Sequence, residues 1–262
     1  MFDRTDPTMK QRRCIAVAIV LVINSFTIGL FARSQQARSG IPDLAGIFAG
    51  RMCMPGSADV CPEMSREASA ELLTARAKSF SEAFDELAVP KYDCAPTSIP
   101  TMFGDPYAFQ VEQLSDRLTF TYEKDDIVRT IWLEGHGHPQ PRVGAFFSHG
   151  YSTGRYEGNE LVVETTKFAF DPTGIAGDFI MAPSSTQKRL IERYSREGDR
   201  LKMDLTVEDP IFLLEPIGYV MEWRPSDQAL SLPWSCDPEA AQRNLKLVPS
   251  KYPEDPPVNR RN

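Results

Sequence analysis

Between positions 201 and 208 the chain alternates without a break. Leu201, Met203, Leu205 and Val207 are apolar, whereas Lys202, Asp204, Thr206 and Glu208 are polar or charged. A period of two puts successive side chains on opposite faces, so the segment satisfies itself only as a β-strand with one buried and one wet face. Lys188 to Arg196 lies upstream across Glu197-Gly198-Asp199, the layout of a hairpin. The same period marks Leu118, Phe120 and Tyr122 against Arg117, Thr119 and Thr121, and the chain returns through Ile127 to Leu133 after Lys124-Asp125-Asp126. Arg155-Tyr156 and Leu161 to Thr166 flank a further turn at Glu157-Gly158-Asn159, and Tyr219 to Trp223 reads as the last strand. Hairpins in succession, without crossover helices, predict a mainly-β antiparallel meander over residues 91–245. About eight strands suffice to close a barrel with room for one small ligand, and a two-sheet β-sandwich is the runner-up.

The regions outside that meander read differently. Lys10-Gln11-Arg12-Arg13 precedes an uncharged, mostly apolar run from Cys14 to Phe31, and Ala32-Arg33-Ser34 closes it with small residues. That order is the layout of a secretory signal, so residues 1–34 are expected to be cleaved, with retention as an anchor as the alternative. Residues 35–64 carry Gly, Pro and Ser without a period and read as an extended lead-in. Residues 65–90 read as a helix, with Ser65 as N-cap, Leu72, Ala75, Phe80, Phe84 and Leu87 near one face, and Pro90 as the stop. Asp237-Pro238 opens a short helix, and residues 246–262 form a Pro-rich, charged tail expected to be flexible.

Export changes what the cysteines mean. Without Cys14, an even set remains: Cys53, Cys61, Cys94 and Cys236. In an oxidising compartment four cysteines favour two disulfides with three possible connectivities, of which Cys53–Cys61 and Cys94–Cys236 are preferred. The formal charge of −7 argues against a nucleic-acid partner, and the membrane is expected to matter only through the signal segment. No cofactor or metal is expected.

Chemistry has few candidates, because the chain holds three histidines, all between His136 and His149. Gly150-Tyr151-Ser152-Thr153-Gly154 matches the spacing of a serine-hydrolase nucleophile elbow. Such an elbow needs a helix after the serine, and strand pattern follows instead, so the motif reads as a glycine-flanked turn. His136-Gly137-His138 with His149 has the ligand types of a zinc site, but Gly135, Gly137 and Pro139 make that stretch a turn rather than a strand aiming two rings together. The loop is still where acid–base chemistry would sit. His138 would be the general acid or base and Glu134 or Asp209 its orienting carboxylate. Glu208-Asp209-Pro210 also fits an Asx-type turn before proline. Arg129, Arg155, Arg189 and Arg193 lie in or near strands, and two pointing inward would clamp an anion. The ligand-binding candidates are Arg129, His149, Ser152, Arg155, Tyr156 and Tyr194.

Gly150-x-Ser152-x-Gly154-Arg155-Tyr156-Glu157-Gly158-Asn159-x-Leu161-Val162-Val163-Glu164-Thr165 resembles the G-x-S-x-G-x-W-E-G-D-T-L-V-V-x-T stretch of a family of exported bacterial proteins. Arg129-x-Ile131-x-x-Glu134-Gly135-His136-x-His138-Pro139 is similar to its R-x-I-x-x-D-G-R-x-H-P, and Glu192-Arg193-Tyr194 through Asp209-Pro210 to its E-R-x-x-R…D-x-L…T-x-E-D-P. Cys94-x-Pro96 and Cys236 also stand where that family places cysteines. The likeness covers roughly residues 90–240. Tyr156, Asn159, Glu134 and His136 depart from the family's Trp, Asp, Asp and Arg, so the His-x-His pair is not a family feature, whereas His138 is. The resemblance implies the fold and an exported location, and it brings no activity with it. The Glu192 to Val207 hairpin also resembles strands of lipocalin-type barrels, an analogy of fold alone. The expected function is therefore an exported, lipocalin-like barrel holding a small, partly apolar ligand inside. A His–carboxylate hydrolase, lyase or isomerase at the barrel mouth and a structural or interaction module of the cell envelope are the alternatives.

Overall fold

The computed structural model describes residues 40–49, 70–85, 89–175 and 182–243. Among them, from Pro42 onward, nine strands close into one barrel in sequence order. They are β1 (Gly46–Ala49), β2 (Phe109–Gln113), β3 (Arg117–Tyr122), β4 (Val128–Leu133), β5 (Tyr151–Glu157), β6 (Glu160–Thr166), β7 (Arg189–Glu197), β8 (Arg200–Glu208) and β9 (Ile217–Pro225). The alternation predicted the wall correctly: Leu201, Met203, Leu205 and Val207 all point inward and are at most 2% exposed. Each such side chain contributes about 1.5–3 kcal/mol by leaving water. Phe109, Phe120 and Tyr122 stack across β2 and β3, with Trp223 of β9 edge-on to Phe109.

Three expectations need correction. The ninth strand, β1, lies in the lead-in rather than within residues 91–245, and it closes the barrel by pairing with both β2 and β9. The meander is not wholly antiparallel, because β4 and β5 run parallel, Ile131 opposite Ser152. Residues 134–150 therefore cross from one end of the barrel to the other, which a two-residue turn cannot do. The helix is also shorter than expected. α1 spans Ala75–Ala83, with Phe84 already extended. Leu72 ends a separate 3-10 turn (Ala70–Leu72) and Leu73 bridges to Leu213, both buried, and Thr74 is the true N-cap: its hydroxyl accepts from the Ala77 N–H at 3.2 Å and donates to the Ile211 carbonyl at 2.9 Å.

The predicted Cys94–Cys236 disulfide is present, joining residues 142 positions apart. It precedes α2 (Pro238–Arg243), whose Gln242 side chain donates to the Asp93 carboxylate at 2.8 Å. The signal segment, Ser65, Cys53–Cys61 and the tail lie outside the described residues.

Each end of the barrel is crossed by chain. At the end where β2 and β5 begin, segments 97–105, 171–175 and 209–214 form a cap. Lys188 ties two of them together, donating to the carbonyls of Ile99 (2.8 Å) and Gly174 (3.1 Å). At the other end Gln113 donates to the Pro42 carbonyl and the Tyr156 hydroxyl and accepts from the Leu44 N–H.

Candidate functional site

The inward face of a barrel strand is apolar by default, so a charge in phase with the core residues needs a reason. Arg129 is in phase with Ile131 and Leu133 on β4, and Glu192 with Leu190 and Tyr194 on β7. Both are buried, and they form a two-pronged pair: Nη1 donates to Glu192 Oε2 at 2.7 Å and Nη2 to Oε1 at 2.6 Å. Nε and Nη2 of Arg129 also donate to Ser152 Oγ (3.2 and 3.0 Å), and Nη2 to Thr165 Oγ1 at 2.8 Å. Thr165 and Tyr194 each donate to the Glu192 carboxylate, at 3.2 and 2.7 Å. Four adjacent strands thus supply one closed polar network inside the barrel. Such a network stabilises when every member is satisfied and is costly when one is removed.

The electrostatics follow from that closure. Burial opposes the charge of Arg129, but Glu192 beside it more than offsets this and holds the guanidinium's pKa above its ordinary value. The hydroxyl of Tyr194 is held well above the usual phenol range by burial and by Glu192. Burial likewise raises Tyr122, which lies against Arg129.

An aromatic cleft lies above the network at the capped end. Met102, Phe103, Tyr107, Ala108, Phe109, Tyr122 and Trp223 line it, with Asp105 and Lys124 at its rim. Its free interior is about 10 Å³, enough for one water. Two residues connect cleft and network: Tyr122, and Phe103, whose ring lies 5.8 Å from the Arg129 guanidinium. At the rim Lys124 pairs with Asp105 at 2.9 Å.

The expected site residues separate into distinct places. Arg129, Ser152 and Tyr194 meet in the network. His149 lies near it under the cap, its Nε2–H donating to the Thr97 carbonyl at 3.0 Å, and burial lowers its pKa. Tyr156 sits at the opposite end with Gln113. Arg155 is on the outer wall, paired with Glu157 at 2.6 Å and more loosely with Glu134 at 3.8 Å. Arg189 and Arg193 also pair outside, with Glu164, Glu208, Glu157 and Glu160. Of the four candidate arginines only Arg129 points inward, and Glu192 already holds it, so the two-arginine anion clamp does not form.

The acid–base set is not assembled either. His138 lies outside the barrel, stacked near Trp132 and hydrogen-bonded through Nδ1 to the Tyr151 hydroxyl. Glu134 is exposed beside Arg155. Asp209 is buried in the cap, where it accepts from the Ser185 N–H and hydroxyl and from the N–H groups of Ile211 and Phe212. That is the turn role, and no hydrogen bond or ion pair joins the three among the described residues. His136 is exposed.

The Gly-x-Ser-x-Gly stretch has a packing reason. Gly150 has φ +68°, and a Cβ there would lie 2.6 Å from Thr165 Cγ2; one on Gly154 would lie 2.9 Å from Ile131 Cγ2. The glycines admit neighbouring side chains, and Ser152 between them is buried on a strand.

Sequence reasoning missed Glu192, Thr165, Tyr122, the cleft aromatics and Lys188. The signal for two of them was present, since Lys188 and Glu192 stand in phase with Leu190 and Tyr194. Lys188 is fully buried with its ammonium 4.3 Å from the Phe168 ring centroid, and burial lowers its pKa to about 8.

A scan of family models and a search of curated proteins return no match. Among solved structures, the crystal structure of wild-type fluorescent protein UnaG matches at 11% identity and a TM-score of 0.30, over 70% of this chain and 97% of that one. The strand pairing itself shows the closed barrel, and so faint a likeness carries no further argument.

Proposed function

We propose that this chain is an exported β-barrel that binds a small, partly apolar molecule at its capped mouth. The observation that carries the reading is the two-part construction there: an aromatic wall from Phe103, Phe109, Tyr122 and Trp223, and beneath it the polar network of Arg129 and Glu192. Ligand sites combine a mostly apolar lining with a few placed polar groups, and this mouth has both. The apolar body of a ligand would rest against the rings and its polar end would reach toward Tyr122. With free space for only one water, binding requires the Thr101–Gly104 turn to shift outward, carrying Met102 and Phe103 with it. Export is supported by the basic, apolar and small-residue order of positions 10–34 and by the Cys94–Cys236 disulfide. The motif resemblance to exported bacterial proteins belongs to the same proposal.

Calorimetric titration with 1-naphthalenemethanol, a flat apolar body bearing one hydroxyl, tests the reading. A saturable heat is expected, and Ala108→Trp, which fills the cleft from its rim, should abolish it. Absence of binding to the wild type, or equal binding to the filled variant, would show that the mouth is not the site.

A further inference from the structure

We infer that the mouth selects an uncharged ligand, an apolar body ending in one hydroxyl or carbonyl, and rejects the carboxylate of the same shape. This rests on the binding reading above and adds the ligand's chemical class. Lys124 lines the mouth and Arg129 lies behind Tyr122 and Phe103, and each is already neutralised, whereas the cap's Lys188 is held by the carbonyls of Ile99 and Gly174. At the floor, Arg129 spends both prongs of its guanidinium on Glu192 and its remaining contacts on Ser152 and Thr165. At the rim, Lys124 is paired with Asp105 and also faces Asp125 at 3.8 Å, leaving more carboxylate than ammonium there. The other titratable groups near the floor are the hydroxyls of Tyr122 and Tyr194, both held protonated by burial, and His149, whose burial favours the neutral imidazole.

An anionic head entering this place would lose its hydration and gain no unbalanced positive charge. Burying an ionised carboxylate is expensive unless a cation or several donors meet it, and the donors are committed to Glu192. A hydroxyl or carbonyl asks for one hydrogen bond, which the Tyr122 hydroxyl supplies without disturbing the pair. The charge balance inside the barrel therefore acts as a filter, and Glu192 is its positioning residue. Removing the negative charge of Glu192 leaves Arg129 unbalanced and turns the filter toward anions.

The test compares 1-naphthalenemethanol with 1-naphthoate, nearly equal in size, by calorimetry at pH 7 on the full chain. Wild type should bind the alcohol about tenfold or more tightly than the carboxylate. Glu192→Gln, checked for native circular dichroism, should narrow or invert that ratio. Naphthoate binding as tightly as the alcohol to wild type would overturn the inference and leave the binding reading standing. Failure of both probes to bind would overturn the two together. The wild-type comparison decides without any variant, so poor folding of Glu192→Gln would not rescue the inference.

Discussion

Replacing Arg129 by Met tests the network most severely. The substitution removes five donated hydrogen bonds and leaves the Glu192 carboxylate in the barrel interior with only Thr165 and Tyr194. Breaking one side of a buried ion pair costs about 3–5 kcal/mol, mostly because the survivor's charge stays buried. Removing both charges, as Arg129→Met with Glu192→Met, behaves differently. Ser152 and Thr165 still pair at 2.9 Å, so the chief remaining defect is the Tyr194 hydroxyl without its acceptor, about 1–3 kcal/mol. The double variant should therefore be about 2 kcal/mol more stable than the single one, although it carries one more substitution. Urea denaturation of wild type, both single variants and the double variant, with equal m-values as the control, measures this. A double variant no more stable than Arg129→Met, or an Arg129→Met loss below about 1 kcal/mol, would refute the idea of a mutually dependent buried pair.

Three further predictions follow from the packing. Lys188 has a folded pKa of about 8, below its ordinary value, so between pH 8 and the unfolded pKa the unfolded chain holds the extra proton and stability rises with pH. Relative to Lys188→Met, wild type should gain about 3 kcal/mol across that window, and parallel pH profiles of the two would contradict the assignment. Gly150→Ala should cost about 3 kcal/mol, from a left-handed backbone and a crowded Thr165, whereas Gly158→Ala meets nothing within 4 Å and should pay only the backbone part; equal thermal shifts would be evidence against the contact. Cys236→Ser should lower stability by about 2–4 kcal/mol in the unfolding of the oxidised chain, and an unchanged midpoint would show that the long loop is not what the bridge restrains.

The wall of the barrel was legible because its period is local. Any eight residues of β8 declare which face is buried. β1 was not legible, since Gly46–Ala49 is four residues long and gains its identity only from β2 and β9 on either side. The parallel β4–β5 pair was hidden for the same reason: nothing within residues 134–150 states that the loop returns to the end where β4 began. The candidate site was half legible. Arg129, Ser152 and Tyr194 could be picked out as polar groups on or beside strands, but Glu192 entered only as part of the resemblance motif, with no role assigned. Its phase with Leu190 and Tyr194 marked it as inward, and the pairing with Arg129 depends on the register of four strands. The histidines misled because closeness in sequence was taken for closeness in space. Along the crossing loop His138 ends outside against Trp132 and His149 under the cap.

The most direct measurement is a crystal structure of the whole chain grown with 1-naphthalenemethanol. Density for the naphthalene is expected between Phe103, Phe109 and Trp223, with the hydroxyl directed at Tyr122 and the Arg129–Glu192 pair intact beneath it. Density confined to the outer wall, or a ligand that splits the pair to reach Arg129, would contradict this arrangement.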